Sequence, residues 1–158
     1  MIFLGIDPGQ SGGIAKLDDD YAAEAWKMPD TERDVSDLIE RLSELGEYHH
    51  INCLIEDVHT MPKQGIVSAG TFMRNYGFLR GLLTAHRIRF DEVTPSKWQA
   101  AFGVKSIKDE PKTAHKNRLK GKAQQLFPQL SITLATADAL LIAEYNRRTY
   151  VNSASAKD

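Results

Sequence analysis

Asp7, Glu56 and Asp138 are the residues whose types and placement could do chemistry. They lie far apart in the chain but occupy comparable local positions. Asp7 ends the apolar run IFLGI, Glu56 ends NCLIE, and Asp138 stands near the start of the apolar run ADALLIAEY. One sheet edge could therefore collect all three. Clustered carboxylates repel one another and hold their protons unless a cation balances them. Hard oxygen ligands select Mg²⁺ or Mn²⁺, and two such ions about 4 Å apart can activate water on one side of a phosphodiester while stabilising the departing 3′-oxygen. Each residue also has an ordinary role open to it: Asp7 as a turn former in DPG, Glu56 as a paired or solvated acid, Asp138 as a helix cap.

The elements that must position them follow from pattern. IFLGI reads as a strand, DPGQSGG as a Pro/Gly turn, GIAKL as the returning strand, and the stretch around Ala22–Trp26 as a third strand after the polar LDDD turn. Val35, Leu38, Ile39, Leu42 and Leu45 recur at helical spacing, with Thr31 or Asp34 as cap and Gly46 near the end. INCLIEDV is a buried strand. PKQGIVSAG reads as flexible and leads into a helix over TFMRNYGFLRGLLTAHRI, where Gly77 and Gly81 would allow close backbone contact. RFDEVTP is extended, SKWQAAFGV starts a helix at Pro95, a further helix follows Pro111 until Pro128, and a last one is expected around Thr136–Arg148. The result is an α/β fold, a mixed central sheet flanked by helices. Residues 1–150 form one domain, and 151–158 a polar tail free to fray.

With 158 residues and 42% apolar composition, the chain can bury a core. No run approaches the roughly 20 apolar residues that cross a bilayer, and no basic leader precedes Asp7, so a soluble, cytoplasmic protein without membrane partners is expected. The single cysteine, Cys53, excludes an internal disulfide and a multi-cysteine zinc site and reads as a small buried side chain. The net charge of -1 conceals an asymmetry: residues 1–60 carry about -10 and residues 61–158 about +9. Residues 105–122 alone hold seven Lys/Arg against two Asp/Glu. A phosphate-binding face can therefore exist on a nearly neutral chain.

Taken together, GIDPGQSGG (5–13), LIEDVHTMP (54–62), GTFMRNYGFLRGLL (70–83), VTPSKWQ (93–99), KTAHKNRLKGKAQQLFP (112–128) and ADALLIAEY (137–145) resemble the RuvC family of Holliday-junction resolvases, in particular its phage branch. The resemblance implies an RNase H-like fold, a homodimer, and a nuclease of DNA recombination and repair that makes paired cuts in four-way or other branched DNA. If phage-encoded, it would work in the bacterial host's cytoplasm. The family metal ligands correspond to Asp7, Glu56 and Asp138, for Mg²⁺ or Mn²⁺, two ions per site in an intact member. Lys97 and Lys116 match positions that handle phosphate near the reaction. Lys105, Lys112, Arg118, Lys120 and Lys122 would follow the DNA backbone. Phe72, Arg74 and Tyr76 fall in the segment that approaches the junction centre and the dimer partner, where Phe72 or Tyr76 could stack on a base and Arg74 could meet a phosphate. Trp98 reads as an anchor for its helix.

One position departs from the pattern. An acidic or histidine ligand is expected one helical turn before Asp138, and the residue there is Ala135. Two readings follow: an engineered cleavage-deficient variant, or a natural subfamily that obtains the ligand from Asp57, from the Thr136 hydroxyl through water, or by a local shift. The competing functions are a general branched-DNA or flap nuclease, a junction-binding protein that does not cut, and an RNase H-like ribonuclease.

Overall fold

The computed structural model describes residues 1–20, 22–47, 49–57 and 65–155. Five strands, β1 (Ile2–Asp7), β2 (Gly13–Asp18), β3 (Ala23–Lys27), β4 (Ile51–Glu56) and β5 (Phe90–Val93), form one sheet in the order β3-β2-β1-β4-β5. The first three make an antiparallel meander, and β4 and β5 add in parallel to β1. Helices α1 (Glu32–Glu44), α2 (Ile66–Ala85), α3 (Pro95–Ala101), α4 (Lys112–Leu126) and α5 (Leu134–Ser155) cover the sheet. None of the described helices is long and apolar enough to cross a membrane.

Strand alternation sorts side chains between two cores. On β1, Ile2, Leu4 and Ile6 pack with Ile14, Cys53, Ile55 and the apolar stripes of α1 and α2; Phe3 packs on the other side with Leu54, Trp98, Leu119 and Leu140. The same period of two places Asp7 with Phe3 and Gly5, and Glu56 with Leu54, so both carboxylates fall on the face covered by α3, α4 and α5. Helix α5 lies so close to β1 that a side chain at Gly5 would run into the Ala139 carbonyl and the Ala143 backbone. Buried Asn146 reinforces this contact by donating to the Leu4 carbonyl at 3.1 Å and the Asn52 carbonyl at 2.9 Å, tying α5 across β1 and β4.

The cap of α1 is Thr31, whose hydroxyl oxygen accepts the Asp34 N–H at 3.1 Å. Three expectations change. Helix α2 begins at Ile66, inside the segment read as flexible, while residues 58–64 lie outside the described part. Among the described residues, Gly77 and Gly81 face open space rather than a neighbouring backbone. Helix α5 continues to Ser155, past Arg148 and through most of the expected tail; residues 156–158 lie outside the described part. Thr149, Val151, Asn152 and Ser153 are weak helix formers, so the sequence beyond Arg148 carries no propensity signal for this continuation.

Candidate active site

The turn after β1 is shaped by two glycines. The Gly12 N–H donates to the Gly9 carbonyl at 2.9 Å, and a Cβ on Gly12 would stand 2.7 Å from Cγ of Asp7. A Cβ on Gly13 would stand 2.7 Å from the carbonyl oxygen of Ala135. The GQSGG sequence thus lets the turn close over Asp7 and lets the first turn of α5 abut the start of β2.

Glu56 ends β4 in register with Val93 of β5, and the Trp98 indole N–H donates to its Oε1 at 2.9 Å. Asp138, only 4% exposed, is ion-paired through Oδ2 with Lys116 of α4, while its Oδ1 is buried with no hydrogen-bond partner among the described residues. Burial pushes the Asp7 carboxyl up to about 6, and the nearby Asp138 charge adds to the rise; Lys116 and the Gly9 backbone oppose it. Burial pushes Glu56 further, to about 8, with Asp7 and Asp138 contributing and the Trp98 bond and Lys116 opposing. Burial alone would lower the Lys116 pKa, but Asp138, Asp7 and Glu56 together raise it. The three acids from β1, β4 and α5 therefore share one electrostatic environment around one lysine.

Among the described residues, no group of three His, Cys, Asp or Glu side chains is drawn close enough to cage an ion. The chemistry of the donor set nonetheless suits a hard divalent cation. Asp138 Oδ1 is a buried oxygen with no hydrogen-bond partner among the described residues, and burial together with the neighbouring acids raises the Asp7 and Glu56 carboxyls, a cost that a bound cation would offset.

The proposed substitutes for the missing ligand fare poorly. The Thr136 hydroxyl is engaged with Thr133, at 3.1 Å from its N–H and 3.2 Å from its hydroxyl. Asp57 follows Glu56 by one residue and so turns to the α1/α2 side, where its charge acts on the Tyr76 phenol.

The expected DNA-contacting residues separate into groups. Lys97, Lys105 and Lys112 are exposed, and Lys120 and Lys122 half-buried. Arg118 is already engaged, its Nε 2.7 Å from Glu110 and its second nitrogen 2.7 Å from the Lys105 carbonyl, so it braces the protein rather than standing open for a phosphate. Arg74 is exposed and paired with Glu32. Half-buried Phe72 borders, with Gly9, Gln10, Ser11 and Asn75, an open hollow of about 400 Å³ beside the turn that follows Asp7. Tyr76 is a correction. It is 5% exposed, packs in the core under α2 and is covered by the Arg80 guanidinium 5.5 Å from its ring, so its face is closed to a base. Its i+3 spacing to Leu79 and i+7 to Leu83 was the signal for the buried stripe.

Comparison with solved structures settles the fold. The T. thermophilus RuvC in complex with Holliday junction substrate superposes with a TM-score of 0.63 over 97% of this chain and 96% of that one, at 16% identity. The chain has the RNase H-like fold of RuvC. A second RuvC structure, from Thermus thermophilus, aligns over 98% of this chain and 97% of its own with a TM-score of 0.55, also at 16% identity. No protein-family model and no curated protein matches the sequence. The RuvC likeness thus extends over nearly the whole length of both molecules. At this identity it fixes architecture, and the chemistry has to be argued from the residues.

Proposed function

We propose that the chain is a divalent-metal-dependent endonuclease of branched DNA, acting first on four-way junctions. The observation that supports this reading is that Asp7, Glu56 and Asp138, on one face of a RuvC-like sheet, act electrostatically on one another and on Lys116, which is ion-paired with Asp138. Mg²⁺ or Mn²⁺, when bound, supplies Lewis-acid stabilisation and an activated water. Asp7, Glu56 and Asp138 would hold it, with Asp138 Oδ1 the ready acceptor. Lys116 neutralises Asp138, and its exposed side brings positive charge toward an approaching phosphate. Exposed Lys97 would join Lys116 in handling the phosphate near the reaction, Lys105, Lys112, Lys120 and Lys122 would follow the backbone, and Phe72 would meet bases beside the Asp7 turn.

A homodimer would present two such sites to strands of matching polarity. The outward face of α2 supports it: Gly70, Gly77 and Gly81 leave open space where a partner backbone could approach, and Ile66 and Val67 are 90% and 83% exposed. Sedimentation over a concentration series tests this, with monomer throughout as the contrary result. Expression in a phage-infected bacterial host remains part of the same reading.

The decisive assay compares equimolar four-way junction, Y-fork, flap, linear duplex and RNA–DNA hybrid with Mg²⁺ and with Mn²⁺. The junction should be cut fastest and Asp7→Asn should nearly abolish cutting while leaving binding intact. Equal turnover on flap would make the chain a general branched-DNA nuclease, and faster turnover on the hybrid a ribonuclease. The methyl of Ala135 at the fourth-ligand position favours a second reading, a junction-binding protein that does not cut. Binding without cleavage across both metals, persisting after an acid is restored, would establish it.

A further inference from the structure

The connection between α3 and α4, residues 102–111, is braced by side chains of α4. The Glu110 carboxylate accepts from Arg118 at 2.7 and 2.9 Å and from the Ile107 N–H at 3.2 Å. Arg118 also donates to the Lys105 carbonyl at 2.7 Å, and His115 Nε2 lies 2.9 Å from the Val104 carbonyl oxygen. The Glu110 N–H returns to the Ile107 carbonyl at 3.1 Å. The Arg118 bonds hold the Glu110 carboxyl down at about 2, so the brace persists at any working pH.

This fixed loop keeps an aliphatic side chain in water. Phe102 and Val104 turn into the core, whereas Ile107 is 61% exposed, between exposed Lys105 and Lys108. A lone exposed isoleucine is ordinary on a protein surface; one held at the tip of a loop bonded on both flanks is displayed. Lysines on either side disfavour an apolar protein groove and suit a polyanion. Nucleic acid combines anionic phosphates with apolar base faces, and those faces are accessible where strands branch. The loop also feeds directly into α4, where Lys112 is exposed and Lys116 pairs with Asp138. Ile107 thus lies on the loop that enters the helix carrying Lys116.

We propose that Ile107 is an apolar wedge that packs against unstacked bases of branched DNA, with Lys105 and Lys108 holding the adjacent phosphates. The role rests on the branched-DNA reading above and adds a contact that the acidic site does not require. Bracing by Glu110 and Arg118 matters because a wedge that collapses on contact cannot hold bases apart.

The test is binding of the full chain, in chelator, to a four-way junction with 2-aminopurine at the branch and to linear duplex carrying the same base. The parent chain should bind the junction more tightly and raise its fluorescence. Ile107→Ser should weaken junction binding about threefold to tenfold, as expected for one apolar side chain, and lose at least half of the fluorescence rise. Ile107→Met should restore both, and Glu110→Gln, which keeps the isoleucine but loosens its loop, should reduce the fluorescence rise. Parent affinity and fluorescence in Ile107→Ser would overturn the wedge while leaving the nuclease reading standing. A parent chain that prefers duplex or binds neither DNA would overturn both.

Discussion

The indole N–H of fully buried Trp98 donates to Oε1 of Glu56, 2.9 Å away, and so commits one oxygen of a proposed metal ligand. The bond depends on a short path: β5 ends at Val93 opposite Glu56, and Pro95 starts α3 at once, which brings the indole back over the strand end.

Trp98→Phe keeps the ring bulk in the core and removes the donor. Mn²⁺ affinity, measured by titration calorimetry, should fall about tenfold, as for the loss of a bond that orients a ligand. The unfolding temperature should move by only a few degrees. Unchanged Mn²⁺ affinity would return Trp98 to a purely packing role.

Asp7 and Glu56 titrate above the ordinary carboxylate range in the folded chain, near 6 and 8. The folded state therefore binds more protons than the unfolded state once pH exceeds about 4. The stability these two groups contribute is fullest below the ordinary carboxylate pKa and is lost as pH rises, through about 6 for Asp7 and about 8 for Glu56. In chelator, the unfolding temperature should decline over this window. Glu56→Gln should flatten its upper part, and saturating Mn²⁺ should oppose the decline by favouring the deprotonated acids. An identical slope in the Gln variant would show that Glu56 has no raised pKa.

Ala135 lies one helical turn before Asp138, with its backbone carbonyl against Gly13. Ala135→Asp should raise junction cleavage at least tenfold, about 1.4 kcal/mol of transition-state stabilisation. The increase should appear in single-turnover rates with either metal. An unchanged rate would mean that no ligand is missing there.

Much of this arrangement was legible before any coordinates. The short apolar runs IFLGI and INCLIEDV mark β1 and β4 as strands, and the positions of Asp7 and Glu56 at their ends follow from that. The heptad-like spacing of Val35, Leu38, Ile39 and Leu42 located α1 and its buried face. The solved RuvC structures bear out the fold class. What could not be read was reach across the sequence. Trp98 anchors its helix in the core as its sequence setting suggests, but the bond to Glu56 is not legible because that partner lies far off in sequence on β4. Arg118 looked like one more phosphate-binding cation, since nothing local says that Glu110 claims it. The sequence leaves Tyr76 open to stacking on a base because aromatic residues serve cores and surfaces alike, and only the neighbours in the fold decide.

The absent side chain at position 5 acts as a spacer of zero thickness between helix and strand. Asp138 rides on α5, and Lys116 is tied to it, whereas Asp7 belongs to the strand beneath. Gly5→Ala would insert a shim under the helix, lifting Asp138 away from Asp7 without altering a single acidic residue. The separation of the two acids is therefore encoded partly by a residue that has no side chain of its own.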